Sequence, residues 1–386
     1  MFNNLGNKPS SQQQIQQSNT KLVFKLIYKN DGISRASIAS ITKLSPTTIS
    51  SLTEQLIKKE LIVEVGTKIV KNSGRRPTLL DVNKKGAYSI CIDLQEKGYN
   101  IGIYDLQCNS VKENFVEVSD YSKLGFSLVT NITTILKEEY INESKMLGIC
   151  IGAPGLIDNN KEKVISSTII PIDENNDFYM QLKKRFNKKP IEVVNESSLA
   201  AYAEKQFIDE IKNINNILYV DIHTGIGAGI IIDGKIFRGA NNLAGEFGHI
   251  SVDINGARCK CGAKGCLETV ANIKAILKQL KTYKSIEEVA NRYEEGYVDV
   301  KVAVSKNAKY IAYGINNAVN LLNPEAVIIG GKITLFGQKY LMEVLKVYNE
   351  IALDKNKDIK ILLSRVKGNP ITLGGAKYLL DTILMR

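Results

Sequence analysis

The chain has 386 residues, 44% hydrophobic and 24% charged, which suits two or three domains with a full-sized core. No run of about 18 apolar residues is present, excluding a membrane-spanning helix, and the opening MFNNLGNKPSSQQQIQQSNT lacks the apolar stretch of a secretory signal. The net charge of +11 is lopsided: residues 1–85 hold 14 Lys and Arg against 5 Asp and Glu, leaving +2 for the other 301. A small basic module on a near-neutral body is the footprint of nucleic-acid binding.

In chain order, the pattern predicts a polar arm over residues 1–20, a winged helix-turn-helix over 21–85 and a two-lobed α/β body over 86–386. Leu22, Val23, Leu26 and Ile27 recur at helical spacing, and Asn30-Asp31-Gly32 makes a turn. Ser34 is placed to cap a second helix, Arg35–Thr42, with Ile38 and Ile41 facing inward. Ser45 caps a third, with Pro46 at the first helical position. That helix runs to about Lys59, with Ile49, Leu52, Leu56 and Ile57 on one face and Thr47, Thr48, Ser51, Gln55 and Lys58 on the other. Short polar side chains at the start of such a helix reach base edges and phosphates in a major groove. Arg35, Thr47, Thr48 and Ser51 are therefore candidate DNA contacts. Strands at 61–65 and 78–82, joined by GTKIVKNSGRRP, complete a wing whose Arg75 and Arg76 suit a narrow, A·T-rich minor groove.

From Ala87 the pattern becomes α/β. Strands are expected at 88–94, 99–106 and 111–118, then a helix at about 121–139 and a strand at 146–151 ending in Gly152-Ala153-Pro154-Gly155. Three antiparallel strands followed by helix and strand begin a ribonuclease-H-like lobe. Paired strands recur at 216–222 and 228–233 around the turn Thr224-Gly225-Ile226-Gly227, which predicts a second lobe and a cleft between the two. Asn195 and Glu196 head a helix expected at 197–207, where capping and dipole effects would account for both residues. The later stretches, a long amphipathic run at 303–322 and a strand, turn and helix over 359–386, supply core.

Within GEFGHISVDINGARCKCGAKGCLE (245–268), Cys259, Cys261 and Cys266 fall within eight residues, ten after His249. Thiolates and an imidazole are the ligands of a structural, tetrahedral zinc ion, and Gly262 and Gly265 let the backbone fold tightly around it. Glu246 and Glu268 frame the segment. Cys91, Cys108 and Cys150 lie in apolar strand-like sequence and read as buried free thiols. This usage fits the reducing cytoplasm.

The motifs E-x-G-H (Glu246–His249) and C-x-C-G-x-x-G-C-L-E (Cys259–Glu268) resemble those of the ROK family (repressors, open reading frames, kinases). The G-x-P-G turn at Gly152–Gly155 and the run Asn323–Gly331 agree with it. The similarity extends over about residues 20–386 and lies with the repressor branch, of xylose-repressor type. It implies an actin-like, ribonuclease-H-like sugar-kinase fold behind the winged head. It also implies zinc on His249, Cys259, Cys261 and Cys266, and a sugar held by Gly152, Asn195, Glu196, Glu246, His249 and Glu268.

The departures from the family pattern separate kinase from receptor. Family kinases carry D-x-G-G-T, whose glycine amides approach ATP phosphates; here the segment is Asp93-Leu94-Gln95-Glu96-Lys97. Their Asn-Asp pair, which supplies the base, is Asn195-Glu196, with the carboxylate moved by about one methylene. His223 stands where kinases usually carry glycine, and is read as a satisfied histidine beside a strand end. The expectation is therefore a non-catalytic, sugar-responsive repressor: a homodimer or tetramer, cytoplasmic, binding a palindromic A·T-rich operator and a monosaccharide such as xylose. A kinase with a DNA-binding head, and a regulator answering to a partner protein, remain open alternatives.

Overall fold

Capping residues set the helices of the head. A computed structural model describes residues 11–67, 77–158, 163–167, 169–173 and 175–385. Helix α1 (Ser11–Lys29) buries Val23, Phe24 and Ile27. The polar opening read as an arm is thus helical from Ser11, and its Thr20 is already buried. After strand β1 (Ile33–Ser34), the Ser34 side chain accepts from the Ser37 N–H and starts α2 (Arg35–Thr42), which ends at Lys43 in the left-handed region. Ser45 likewise accepts from the Thr48 N–H and starts α3 (Pro46–Lys58), with Pro46 in the first turn. Each cap satisfies an amide that the helix cannot pair internally.

Ile38, Ile49, Leu52 and Leu56 are buried, as their spacing requires, but Ile41 is 57% exposed. Three residues on from Ile38 is about 60° around the helix, and in an eight-residue helix with one apolar contact line that puts Ile41 outside. Strands β2 (Ile62–Thr67) and β3 (Thr78–Val82) pair antiparallel, and β3 also pairs with β1. This is a winged helix-turn-helix.

The first body lobe is a five-stranded sheet. Strands β4 (Tyr88–Gln95), β5 (Gly98–Tyr104) and β6 (Ser110–Glu117) form an antiparallel meander. Helix α4 (Leu124–Glu138) follows, and β7 (Met146–Ala153) adds parallel to β4. A short hairpin, β8 (Leu156–Asp158) and β9 (Lys163–Ser166), and helix α5 (Phe178–Arg185) precede β10 (Ile191–Asn195), which pairs parallel with β7.

Helix α6 (Glu196–Phe207) leads to the second lobe, with strands β11 (Ile217–Ile222), β12 (Ile226–Ile232) and β13 (Lys235–Ile236). Helices α7 (Glu268–Ala271), α8 (Ile273–Gln279), α9 (Ile286–Glu295) and α10 (Val298–Leu322) come next. Strand β14 (Ala326–Gly330), helix α11 (Gly337–Ile351), strand β15 (Lys360–Leu363) and helix α12 (Pro370–Leu380) complete the chain, with a π-helical turn at Asp381–Met385.

The sheet orders are β6-β5-β4-β7-β10 and β13-β12-β11-β14-β15. In each lobe the third, second, first, fourth and fifth strands lie side by side, so the expected duplication is present in topology. Helices α6 and α12 pack against each other between the sheets, and Gly374 makes this possible: a Cβ there would overlap the Leu199 carbonyl oxygen. Among the described residues no helix is long and apolar enough to cross a membrane.

Candidate functional site

Equivalent strands of the two lobes end in equivalent acids. Asp93 on β4 is paired in register with Gly152 of β7, and Asp221 on β11 with Gly330 of β14. Both acids are buried. Sequence reasoning had not singled out Asp221, although the strands containing Ile-Cys-Ile-Asp and Leu-Tyr-Val-Asp are the signal that marks the repeat.

The two turns beyond these acids differ. In the first, Gln95 pairs with Gly98 across Glu96-Lys97. The Gln95 side chain folds back to donate to Asp93 Oδ2 at 2.7 Å, joined there by Asn369 at 2.8 Å and Asn100 at 3.2 Å. Among the described residues nothing donates to the buried Asp93 Oδ1. Burial raises the Asp93 carboxyl; the Asn369, Gln95 and Asn100 donors pull it down, and Asp221 adds to the rise. In the second turn His223 supplies Asp221 with a partner, Nε2 to Oδ1 at 3.1 Å. Burial opposes the charge on His223, but Asp221 and Asp93 outweigh it and hold the imidazole above its ordinary value.

Asn195 ends β10 and caps α6, its Oδ1 accepting from the Ser198 N–H at 3.2 Å. Glu196 follows, and burial, then Asp221 and Asp93, push its carboxyl well above the ordinary 4.5. Glu196 thus faces the same acids from the helix side. Gly152 carries a packing constraint, because a Cβ there would overlap Ile371 of α12. A recess of about 20 Å³ between Asn195, Ser198, Arg238, Asn242 and Ala244 is water-sized.

The loop after β13 brings together the second group. His249, Cys259, Cys261 and Cys266 place their ligand atoms within 4.8 Å of one another. Cys259 Sγ is 3.6 Å from His249 Nδ1, and Cys261 Sγ is 3.6 Å from Cys266 Sγ. A tetrahedron with metal–sulfur bonds of about 2.3 Å has edges of about 3.8 Å, so this donor set and its spacing fit one metal ion. The two carboxylates sit on either side of the imidazole: Glu246 Oε2 is 3.8 Å from Nε2, and Glu268 Oε1 is 3.7 Å from Nδ1. Burial raises the Glu246 carboxyl, with His249 lowering it and Glu268 raising it. The far end of the loop is fastened to the second-lobe turn, Asn272 Nδ2 donating to the Thr224 carbonyl at 2.7 Å and the Ile273 N–H to that of His223 at 2.9 Å. Its near end lies on β12, where the Ala228 N–H donates to the Gly245 carbonyl at 2.8 Å.

The predicted sugar residues thus lie in two groups, Asn195 and Glu196 at the start of α6, and Glu246, His249 and Glu268 beside the metal-type cluster. In the head, Thr47 and Ser51 stand exposed on the first turns of α3. The Thr48 hydroxyl lies 2.8 Å from the Ser45 hydroxyl. Arg35 is engaged within the domain, donating to Thr53 at 3.0 Å and pairing with Glu64 at 2.8 Å. Arg75 and Arg76 lie outside the described residues. Cys91, Cys108 and Cys150 are buried thiols without disulfides, and burial pushes Cys108 up to about 12.

Comparison with known proteins agrees with this arrangement. A ROK family model matches residues 89–383 and a winged helix-turn-helix DNA-binding model matches 18–63. The xylose repressor of Bacillus subtilis is 31% identical over 379 residues, covering 96% of this chain and 97% of the repressor. The crystal structure of a ROK family transcriptional regulator, a homologue of the Escherichia coli MLC protein, superposes with a TM-score of 0.84 at 26% identity, over 96% of this chain and 97% of the other. A ROK hexokinase from Thermus thermophilus shares the fold of the body, with a TM-score of 0.65 at 22% identity, over 75% of this chain and 96% of the hexokinase. With its body matched from end to end by the family model and a winged DNA-binding head in front, the chain belongs to the ROK family.

Proposed function

We propose that this protein is a sugar-responsive transcriptional repressor of carbohydrate-utilisation genes, with xylose as the first effector to test. The observation that carries the reading is the union, in one chain, of a winged head with a kinase-like cleft whose first turn lacks its glycines. Phosphate binding at such a turn needs free backbone amides and room for close approach. Here Gln95 occupies the first glycine position and folds onto Asp93, while Glu96 adds negative charge. The cleft is read as a receptor site in the cytoplasm, not a catalytic one.

In this reading Asn195, Glu196, Glu246, His249 and Glu268 hold the sugar hydroxyls, with Gly152 shaping the cleft floor. Converging polar groups in a cleft are what a sugar requires. Zinc, held by His249, Cys259, Cys261 and Cys266, would supply only structural cross-linking, orienting His249 and Glu268 toward the sugar. A homodimer would present two heads to a palindromic, A·T-rich operator, one half-site each. Thr47 and Ser51 are the exposed α3 residues best placed to read bases; Arg75 and Arg76 would enter the minor groove. Arg35, tied to Thr53 and Glu64, would act by fixing α2 against the wing.

The sugar shifts the repressor only if it binds the operator-incompetent state more tightly. The test is operator binding during titration with a sugar panel headed by D-xylose, with thermal shift alongside. A ligand at about 100 times its Kd stabilises the folded state by about 2.7 kcal/mol. Release of operator by D-xylose is expected; ATP-dependent phosphorylation of any sugar would overturn the receptor reading. The Arg75→Ala/Arg76→Ala variant is expected to lose operator affinity and keep its sugar affinity.

A further inference from the structure

The head is not an independent bead on the body. Val23, Phe24 and Ile27 of α1 belong to one continuous apolar cluster with Tyr202 of α6 and with Leu380, Leu384 and Met385 at the C-terminal end. Through this seam runs a chain of polar contacts. Lys377 Nζ of α12 lies 5.1 Å from the centre of the Tyr28 ring, over its face. One turn on, Asp381 pairs with Lys377, both side chains being about one-tenth exposed, at 10% and 11%. The second Asp381 oxygen accepts from the Tyr202 hydroxyl. Cys108, in the turn between β5 and β6, belongs to the same apolar cluster as α1 and is buried.

The far ends of both helices reach the cleft. Helix α12 begins at Asn369, whose Nδ2 donates to Asp93 while its Oδ1 accepts from Ile371 and Thr372 amides. Helix α6 is capped by Asn195, begins with Glu196 and carries Tyr202 at mid-length. The close approach at Gly374 locks the two helices together. The two cleft-end caps, Asn369 and Asn195, and the Lys377–Asp381 pair thus lie on one packed pair of helices. Beside the seam a cavity of about 150 Å³, bounded by Thr20, Phe24, Leu56, Leu61 and Leu384, leaves α1 room to shift.

A buried ion pair is a weak device for stability, since apolar residues of similar size serve as well. It does demand one register, because a shift that parts the charges leaves both desolvated. We infer that Tyr28, Lys377, Asp381 and Tyr202 are positioning residues that set the pose of the DNA-binding head according to the state of the sugar cleft. The inference rests on the reading of this protein as a sugar-responsive repressor.

The test measures operator affinity with and without saturating D-xylose, and D-xylose affinity without DNA, on the full chain. Three variants are compared with wild type. Tyr28→Leu removes the ring that seats Lys377, Tyr202→Phe removes the α6 donor, and Lys377→Met/Asp381→Leu removes both charges so that neither is stranded. Lys145→Ala, which removes the exposed Lys145–Glu60 pair between body and head and the Lys145 contact to the Lys85 carbonyl, is the control. Wild type is expected to lose operator affinity by about 5–150-fold with D-xylose, the usual span of allosteric coupling. In the three variants that ratio falls toward one, while D-xylose affinity without DNA stays within about threefold and Lys145→Ala responds as wild type does.

Variants that melt cooperatively yet respond to D-xylose as fully as wild type overturn the inference alone. A wild-type protein whose operator binding ignores D-xylose and every other sugar of the panel overturns the reading beneath it, and the inference with it. A merely structural role would lower the melting temperature and leave the ratio untouched, which also counts against the inference.

Discussion

The two lobes share one strand order and place one acid at the same strand end, yet their turns part company. The first-lobe turn closes on itself: three amide side chains, from Gln95, Asn100 and Asn369, converge on Asp93. The second-lobe turn keeps its small residues and is braced from outside, by Asn272 and by the backbone of Ile273 at the end of the metal-type loop. A turn that uses side-chain amides to quiet its own acid has little to offer an incoming phosphate. A turn buttressed by a loop whose His249 and three cysteines are spaced for a metal ion can hold a neighbouring carboxylate, Glu268, in a fixed place. The difference leaves the first-lobe turn tied to α12 through Asn369 and the second-lobe turn tied to the loop that ends in Glu268.

The largest effect should come from the buttress. Cys259 is buried and its sulfur lies 3.2 Å from Glu268 Oε1. Changing a group that only supports a metal ligand typically costs about 10–100-fold in metal affinity, so losing a ligand outright in Cys259→Ser should cost about 100-fold or more. Metal content after dialysis, read with sugar affinity, checks this. Full sugar affinity in metal-free Cys259→Ser protein would show that the second-lobe turn needs no cross-link, and would erase the contrast between the lobes.

A pair of substitutions sharpens the comparison at the strands themselves. Gly229 of β12 faces α6 so closely that a Cβ would overlap the Ser197 carbonyl oxygen and crowd Ala201. Since backbone must move, Gly229→Ala should destabilise by about 1–3 kcal/mol. In the first lobe, Gln95→Ala removes one of three donors to Asp93 and leaves two, so its cost should stay below about 1 kcal/mol. Denaturant midpoints for the two variants decide the matter. Equal losses would mean that the first-lobe turn is as tightly built as the second.

How much of this was legible beforehand follows from distance along the chain. Ser34, Ser45 and Pro46 act within three residues, so the starts of α2 and α3 could be read directly. The cysteine loop was legible for the same reason: its ligands crowd into one short segment. Ile41 was misplaced because periodicity in eight residues does not say which of two adjacent lines is inward. The pairing of Asp221 with His223 was hidden because it depends on which side of β11 each residue takes. The contact of Tyr202 with Asp381, 179 residues apart, leaves no local trace at all. Nor does the reach of Asn369 to Asp93 across 276 residues.

The smallest effect is the most direct probe of the shared acidic floor. Glu196 binds its proton more tightly folded than unfolded, through burial and the charges of Asp221 and Asp93. Between the ordinary carboxyl value of 4.5 and the raised folded value, the native state holds more protons than the unfolded chain, so stability falls as pH rises through that window. Glu196→Gln removes the ionisation and with it this slope. Near pH 4, where the folded Glu196 carboxyl is protonated and as neutral as the Gln that replaces it, the two proteins should melt together. Toward pH 7 the variant should gain, by about 2–4 °C for each kcal/mol of repulsion relieved. Parallel melting curves across that range would mean that Asp93, Asp221 and Glu196 do not act on one another. The two lobes would then meet at α6 without sharing a site.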